Sequence, residues 1–348
     1  MSDTWNLLKS HGGIPLAPEV CLRVVEYAID DEPKVAAVLM GLSKSFCLLL
    51  RSYETSLAKA LSKNDDRLEH VNAAQPIALS SRLPPGDATV TTLTYEWYLE
   101  MRCRASLIDF LVQHEITDMD DDTNGWPTIE NIHKSELLLR QTVFKKRAFG
   151  LLYQLADCTA GIKNSTPDRD QRIRAEQGRL LESLSETDLS ALGCLVEIVG
   201  QGFFTIFKNK LLASSRLGQS LPYIAHSQSS VLVPSATQLN DLSQNNDNWI
   251  RECMCVFEDR VQRYGPYFAW SFVAGANNRA RRPDLWVNDE IQQGLDDMNS
   301  FEMGHTMAYA SLQSVVWRVF CRKNGCTLQD SWNEAKTLVE SEMAEYKL

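Results

Sequence analysis

The chain has 348 residues, 44% hydrophobic and 23% charged, with 45 acidic against 35 basic side chains and a formal net charge of −10. That length supports more than one sizeable core, and the composition excludes wholesale disorder. The acidic balance opposes non-specific attraction to phosphate backbones or anionic lipid, so neither nucleic acid nor a membrane is expected as a partner.

In chain order, the opening "MSDTWNLLKSHGG" lacks a basic stretch followed by an apolar run, so no secretory signal peptide is expected. A short helix is predicted around Trp5 to Lys9, ending at the Gly12-Gly13 pair. Three helical segments follow between Pro18 and about Ala60, giving an N-terminal unit over residues 1–63. Residues 64–92 collect Pro, Gly, Ser and Asp and read as a linker. A helical body over 93–348 opens with "YEWYLEMRCRASLIDFLVQHE", and "KSELLLRQTVFKKRAFGLLYQLADCTAGI" spaces Leu137, Phe144, Ala148, Leu151 and Leu155 at helical intervals.

Ser185 and Asp188 stand at capping-box spacing ahead of the most apolar stretch, Ala191 to Phe207. That stretch is broken by Glu197 and Gln201 and is shorter than the roughly 20 residues that span a bilayer, so it reads as a buried helix. Residues 214–247 are polar and turn-rich, a long loop with one short strand at "SVLV". Helices resume at about Asn248 to Phe272, at about Asp289 to Lys323 and at about Leu328 to Tyr346, the last capped by Thr327 with Asp330. Strand-like alternation is nearly absent, so the expected class is all-α: a three-helix N-terminal unit followed by an irregular multi-helix domain.

The segment "AAVLMGLSKSFCLLLRSYE" carries Ala37, Gly41 and Ser43 at the spacing of a helix-turn-helix. Its second helix offers only Lys44, Ser45 and Arg51 to bases or phosphates, too little for groove readout. Extended upstream, the window reads "IPLAPEVCLRVVEYAIDDEPKVAAVLMGLSKSFCLLL". Leu16, Pro18, Glu19 and Val20 form a Leu-Pro-x-Glu-like start, with Ala17 intervening, and Leu22, Val25 and Ala28 or Ile29 mark a first helix. Asp30 to Pro33 form a polar break, Val35, Val38, Leu39 and Leu42 a second helix, and Ser43, Lys44, Phe46 and Leu50 a third.

On those residues, about a tenth of the chain, the segment resembles the F-box. Pro18 suits a first helical turn, Glu19 the positive helix end, and Asp31 or Glu32 a cap ahead of Pro33. The resemblance implies docking on a Skp-type adaptor of a cullin–RING ubiquitin ligase, with the body recruiting a protein target. Adaptor-facing candidates are Leu16, Pro18, Val20, Leu22, Val25, Leu39, Leu42 and Phe46. The helical remainder is similar to regions that follow F-box-like segments in filamentous fungi. A helical interaction module unrelated to ubiquitin is the alternative. The expected location is cytoplasmic, nuclear or both, and no enzymatic activity or cofactor is expected.

Other motifs are weaker. Asp120, Asp122, Asn124 and Gly125 match the first half of a calcium loop, but Glu130 falls one position before the closing glutamate, and a solvated acidic turn explains the string equally well. "HEITD" begins like a zinc motif but has Asp118 in place of the second histidine and reads as a helix end. "GQGFFT", from Gly200, lacks the third glycine of a dinucleotide fingerprint and reads as close helix packing. The basic cluster Arg279, Arg281 and Arg282 reads as pairing with the protein's own acids or as a solvated loop. Nine scattered cysteines without framework spacing suit free thiols in a reducing compartment.

Overall fold

Helix α1 (Pro18–Asp31) starts with proline in its first turn and Glu19 at its positive end, and it buries Cys21, Val25 and Ile29, one face at four-residue intervals. The chain is described from a computed structural model, over residues 16–32, 34–69, 71, 77–78, 89–119, 126, 132–162, 168–216, 232, 234–244, 246–274, 283–302 and 312–345. The helix expected around Trp5 and the strand expected at "SVLV" (apart from Leu232) lie outside these residues, as do Pro33, the arginine cluster and the calcium-loop residues Asp120, Asp122, Asn124 and Glu130.

Neither Asp31 nor Glu32 caps the second helix as expected. Asp31 ends inside α1, Glu32 is the residue that closes it, and α2 (Val35–Leu42) starts from Lys34 without a side-chain cap. The Glu32 carboxylate only accepts the Lys34 N–H, at 3.4 Å. Ser43 caps α3 (Lys44–Ser52), its hydroxyl accepting the Phe46 N–H at 3.2 Å. The third predicted segment is in fact two helices. The Ser52 hydroxyl bonds back to the Leu48 carbonyl at 2.8 Å, Tyr53 leaves the helical conformation, and α4 (Glu54–Asn64) begins anew.

The described parts of the 64–92 segment are packed against the body. Two short strands pair antiparallel, β1 (Ile77–Ala78) with β2 (Thr89–Val90), and Ile77 and Val90 are buried. What holds them is a buried polar clamp. The Arg104 guanidinium, on α5 (Tyr95–Gln113), donates to the Ala78 carbonyl at 2.6 Å and grips Asp157 at 2.7 and 2.9 Å. It also pairs with Glu100 and lies 4.3 Å from the Tyr153 ring centroid, while Asp157 accepts the Ala78 N–H at 3.1 Å. A buried arginine costs desolvation, and here carboxylates, a carbonyl and a ring face all answer its charge.

The body is built around α8 (Glu186–Arg216), against which α6 (Lys134–Asp157), α10 (Asn248–Tyr264), α13 (Leu312–Asn324) and α14 (Ser331–Glu345) pack. Helices α7 (Arg169–Ser183), α9 (Ala236–Ser243), α11 (Pro266–Ala274) and α12 (Pro283–Glu302) complete the fourteen α-helices among the described residues. The class is all-α. Ser185 accepts the Asp188 N–H at 3.1 Å, the expected cap, while the Asp188 carboxylate takes the Ser185 hydroxyl at 2.7 Å instead of its backbone N–H. Thr327 and Asp330 form a similar reciprocal turn ahead of α14.

The apolar helix is longer than the stretch that marks it in sequence. Glu186–Ala213 is long and apolar enough to cross a bilayer, yet 78% of its most apolar window is buried inside the protein. Part of the polar loop predicted over 214–247 is helical as well: α9 carries a full capping box between Ser235 and Gln238. The helix predicted over 248–272 is split at Gly265, whose φ of +76° only glycine adopts without strain, followed by Pro266. One continuous core joins Val25, Phe46 and Leu61 of the N-terminal helices to Tyr98 and Met101 of α5 and onward to Phe203, Phe257 and Phe268.

Candidate docking surface and interhelical cleft

Eleven large apolar side chains are exposed among the described residues, and seven of them lie between Val20 and Tyr53, on the N-terminal helices or at their junction. Val20, Val24 and Tyr27 stand on one face of α1 at helical spacing, Val38 and Leu42 share a face of α2, and Leu48 projects from α3. Exposed apolar side chains concentrated on so small a unit make it a candidate docking surface.

Of the eight residues assigned to the adaptor, Pro18, Val20 and Leu42 are exposed and Leu16, Leu22 and Leu39 are half-buried. Val25 and Phe46 are buried in the unit's own core, at 2% and 3% exposure, and cannot face a partner in this fold. Val24, Tyr27, Val38 and Leu48 were missed. Their helical spacing was legible, but α1 and α2 are apolar on two sides, and only packing shows which side turns inward.

The unit is fastened to α5 by polar contacts. The Tyr95 hydroxyl donates to the Leu50 carbonyl at 3.0 Å, and the Tyr95 N–H to the Glu54 carboxylate at 2.8 Å. Arg102 donates to the Asp30 carbonyl at 3.0 Å and pairs with Asp65 at 3.2 Å. Burial alone would raise the Asp65 carboxyl, but the Arg67 hydrogen bond and the charges of Arg67 and Arg102 outweigh it and hold the group below the usual carboxylate range.

A second feature lies on the body. A cleft of about 480 Å³ runs along α8, closed on its other side by the 3-10 turn Glu115–Thr117 and by Trp126 and Trp332. Met119, Trp126, Ile198 and Ile206 form a buried apolar floor, and Glu115, Asp118, Thr205, Asn209 and Lys210 form an exposed rim. The two indoles meet edge to face at 6.4 Å, with the Lys336 ammonium 5.1 Å from the Trp126 ring centroid. Desolvation lowers the Lys210 pKa, an effect that the Glu115 carboxylate opposes.

The "GQGFFT" segment explains how the walls approach so closely. A Cβ on Gly202 would lie 2.2 Å from the Ile116 carbonyl oxygen, so only glycine lets the 3-10 turn sit against α8. A Cβ on Gly200 would lie 2.1 Å from the Glu258 carboxylate, which fills that space at 1% exposure. Neither Glu258 oxygen has a hydrogen-bond partner, and burial, with Glu197 nearby, raises its pKa well above the ordinary value.

The "HEITD" histidine is a cap: His114 Nδ1 accepts the Ile116 N–H at 3.1 Å, and Asp118 lies at the cleft. Among the described residues no three His, Cys, Asp or Glu side chains gather as a metal-holding group. The nine cysteines are free, and burial pushes the Cys158 thiol up to about 12 and Cys255 up to about 11. No family model matches the chain, and neither a curated protein nor a solved structure matches it.

Proposed function

We propose that the chain is an F-box-like recruiting protein that docks through α1–α3 on a Skp-type adaptor of a cullin–RING ubiquitin ligase and holds a protein target on its helical body. The observation that carries the docking half is the concentration of exposed Val20, Val24, Tyr27, Val38, Leu42 and Leu48 on three short helices. Their inner faces are already occupied by Val25, Ile29, Phe46 and Leu50, so the outer face needs another polypeptide to cover it. The F-box resemblance of residues 14–50 supplies the kind of partner. An interaction module unrelated to ubiquitin fits the same surface, whereas a DNA groove fits it poorly, because Leu48 projects among Lys44, Ser45 and Arg51 on α3.

The test is co-purification of the full chain with a Skp-type adaptor, repeated with Val24→Asp and Leu42→Asp. Loss of the complex in both variants, with melting temperature unchanged, supports docking. No complex with the wild-type chain, or one that both variants retain, refutes it. A wild-type chain that self-associates through this face and ignores the adaptor assigns the surface to a second copy.

A further inference from the structure

Two thiols meet at the end of α13. Cys321 stands in the last turn of the helix, where its carbonyl accepts the Gly325 N–H at 2.8 Å and Gly325 takes the left-handed φ of +68°. A glycine closure of this kind folds the following residue back onto the last turn, which brings Cys326 to Cys321. The side chains bear this out. Cys326 is half-buried against the core, and the buried Cys321 thiol reaches past it to donate to the Thr327 carbonyl at 3.3 Å. Burial pushes the Cys321 thiol up to about 11, and a hydrogen bond with the Cys326 thiol adds to the rise. The Ser331 hydroxyl opposes that rise by hydrogen bonding to the same sulfur. Cys253 and Cys255, by contrast, sit two apart on α10 and point to different sides of it, so they are not placed to pair.

We propose that Cys321 and Cys326 form a redox site, a dithiol that a peroxide converts reversibly to a disulfide. With hydrogen peroxide, the thiolate of Cys326, the more accessible of the two, attacks one oxygen. The O–O bond breaks, hydroxide departs, and Cys326 becomes a sulfenic acid. The Cys321 sulfur then attacks the Cys326 sulfur; an S–S bond forms, the S–O bond breaks, and the departing hydroxide takes up a thiol proton. In sum two thiols lose two electrons and two protons, and one peroxide becomes two waters. Only four residues separate the pair, so the bond constrains the unfolded chain little and suits a switch more than a staple. Forming it removes the proton that Cys321 donates to Thr327 and ties the end of α13 to the turn that caps α14.

The test uses the full, reduced chain, treated with hydrogen peroxide, blocked with N-ethylmaleimide and digested with trypsin without reductant. Trypsin cuts after Arg322 and Lys323, so in the oxidised chain the new bond alone holds Val319–Arg322 to Asn324–Lys336. Mass spectrometry is expected to find this linked pair as the main disulfide, and dithiothreitol to remove it. Cys326→Ser leaves Cys321 reduced, and Cys321→Ser stops Cys326 at the sulfenic acid, which dimedone captures. Equilibration with glutathione tests the geometry directly: the link should be favoured about tenfold or more in the native chain over the chain in urea, because the fold holds the thiols together. Wild-type chain with both thiols still blocked by maleimide after peroxide overturns the proposal. So does a sulfenic acid that persists at Cys326 in the wild-type chain, a link from Cys326 to another cysteine in comparable yield, or a glutathione equilibrium no more favourable natively than in urea.

Discussion

The N-terminal helices and the α8-centred body solve the burial problem in opposite ways. Helix α8 is surrounded, so Leu189, Leu192, Leu195, Phe203 and their neighbours are wholly buried and the helix has almost no outer apolar face. Helices α1 to α3 are short and peripheral; α2 buries only Ala36 while Val38 and Leu42 stay exposed. Hydrophobic content is therefore a poor guide to the core in this chain. A helix contributes to stability through the face its neighbours cover, and it binds through the face they leave.

The difference is sharpest at the clamp on the body. Asp157→Ala would strand the buried Arg104 guanidinium and the Ala78 N–H, with an expected loss of about 3–5 kcal/mol, measured by denaturant unfolding. A loss below about 1 kcal/mol would mean that the clamp is hydrated and that the 64–92 segment is only loosely tied to the body. Next in size is Gly202→Ala, whose methyl would meet the Ile116 carbonyl. It should cost about 1–3 kcal/mol, measured by denaturant unfolding beside the wild-type chain.

Glu258→Gln gives a smaller effect with a definite sign. A carboxyl whose pKa is raised on folding keeps its proton longer in the native state, so its contribution is most favourable below the ordinary glutamate value and is lost as pH rises through the folded value. The amide removes that loss. The variant should be the more thermostable by a few degrees at pH 7 to 8, and the gain should vanish near pH 4. A gain that persists undiminished at pH 4 would show that ionisation is not its source.

The smallest stability effect belongs to the outer face of the N-terminal helices. Val24→Asp and Leu42→Asp should each shift stability by no more than about 0.5 kcal/mol, whereas Phe46→Asp, in the unit's own core, should unfold that unit. Thermal melts of the three variants side by side test this. If Val24→Asp proves as damaging as Phe46→Asp, the outer face is covered in the free protein and docking through it fails.

Much of the fold was legible because its signals are local. Ser43, Ser185 and the Thr327–Asp330 pair announce helix starts through side chains that bond within three residues, and each of those bonds forms. The close packing at Gly200 and Gly202 was legible as well, though its partners, Glu258 and the Ile116 carbonyl, were not. The cleft left no continuous trace, since its walls come from residues 115–119, 126, 198–210 and 332. The break at Ser52 and Tyr53 was missed because it holds neither a Gly nor a Pro to mark a helix end.

The sequence by itself determined the all-α class, the helix starts at Ser185 and Thr327 and the excess of apolar residues in the first sixty positions, because caps and periodicity act between near neighbours along the chain. Tertiary structure alone decided that Val25 and Phe46 turn inward while Val24 and Leu48 turn out. It also decided that Arg104 finds Asp157 and that α8 forms one wall of a groove. Those outcomes depend on contacts between residues far apart in sequence, and a helix with two apolar sides carries no local preference for which one is buried.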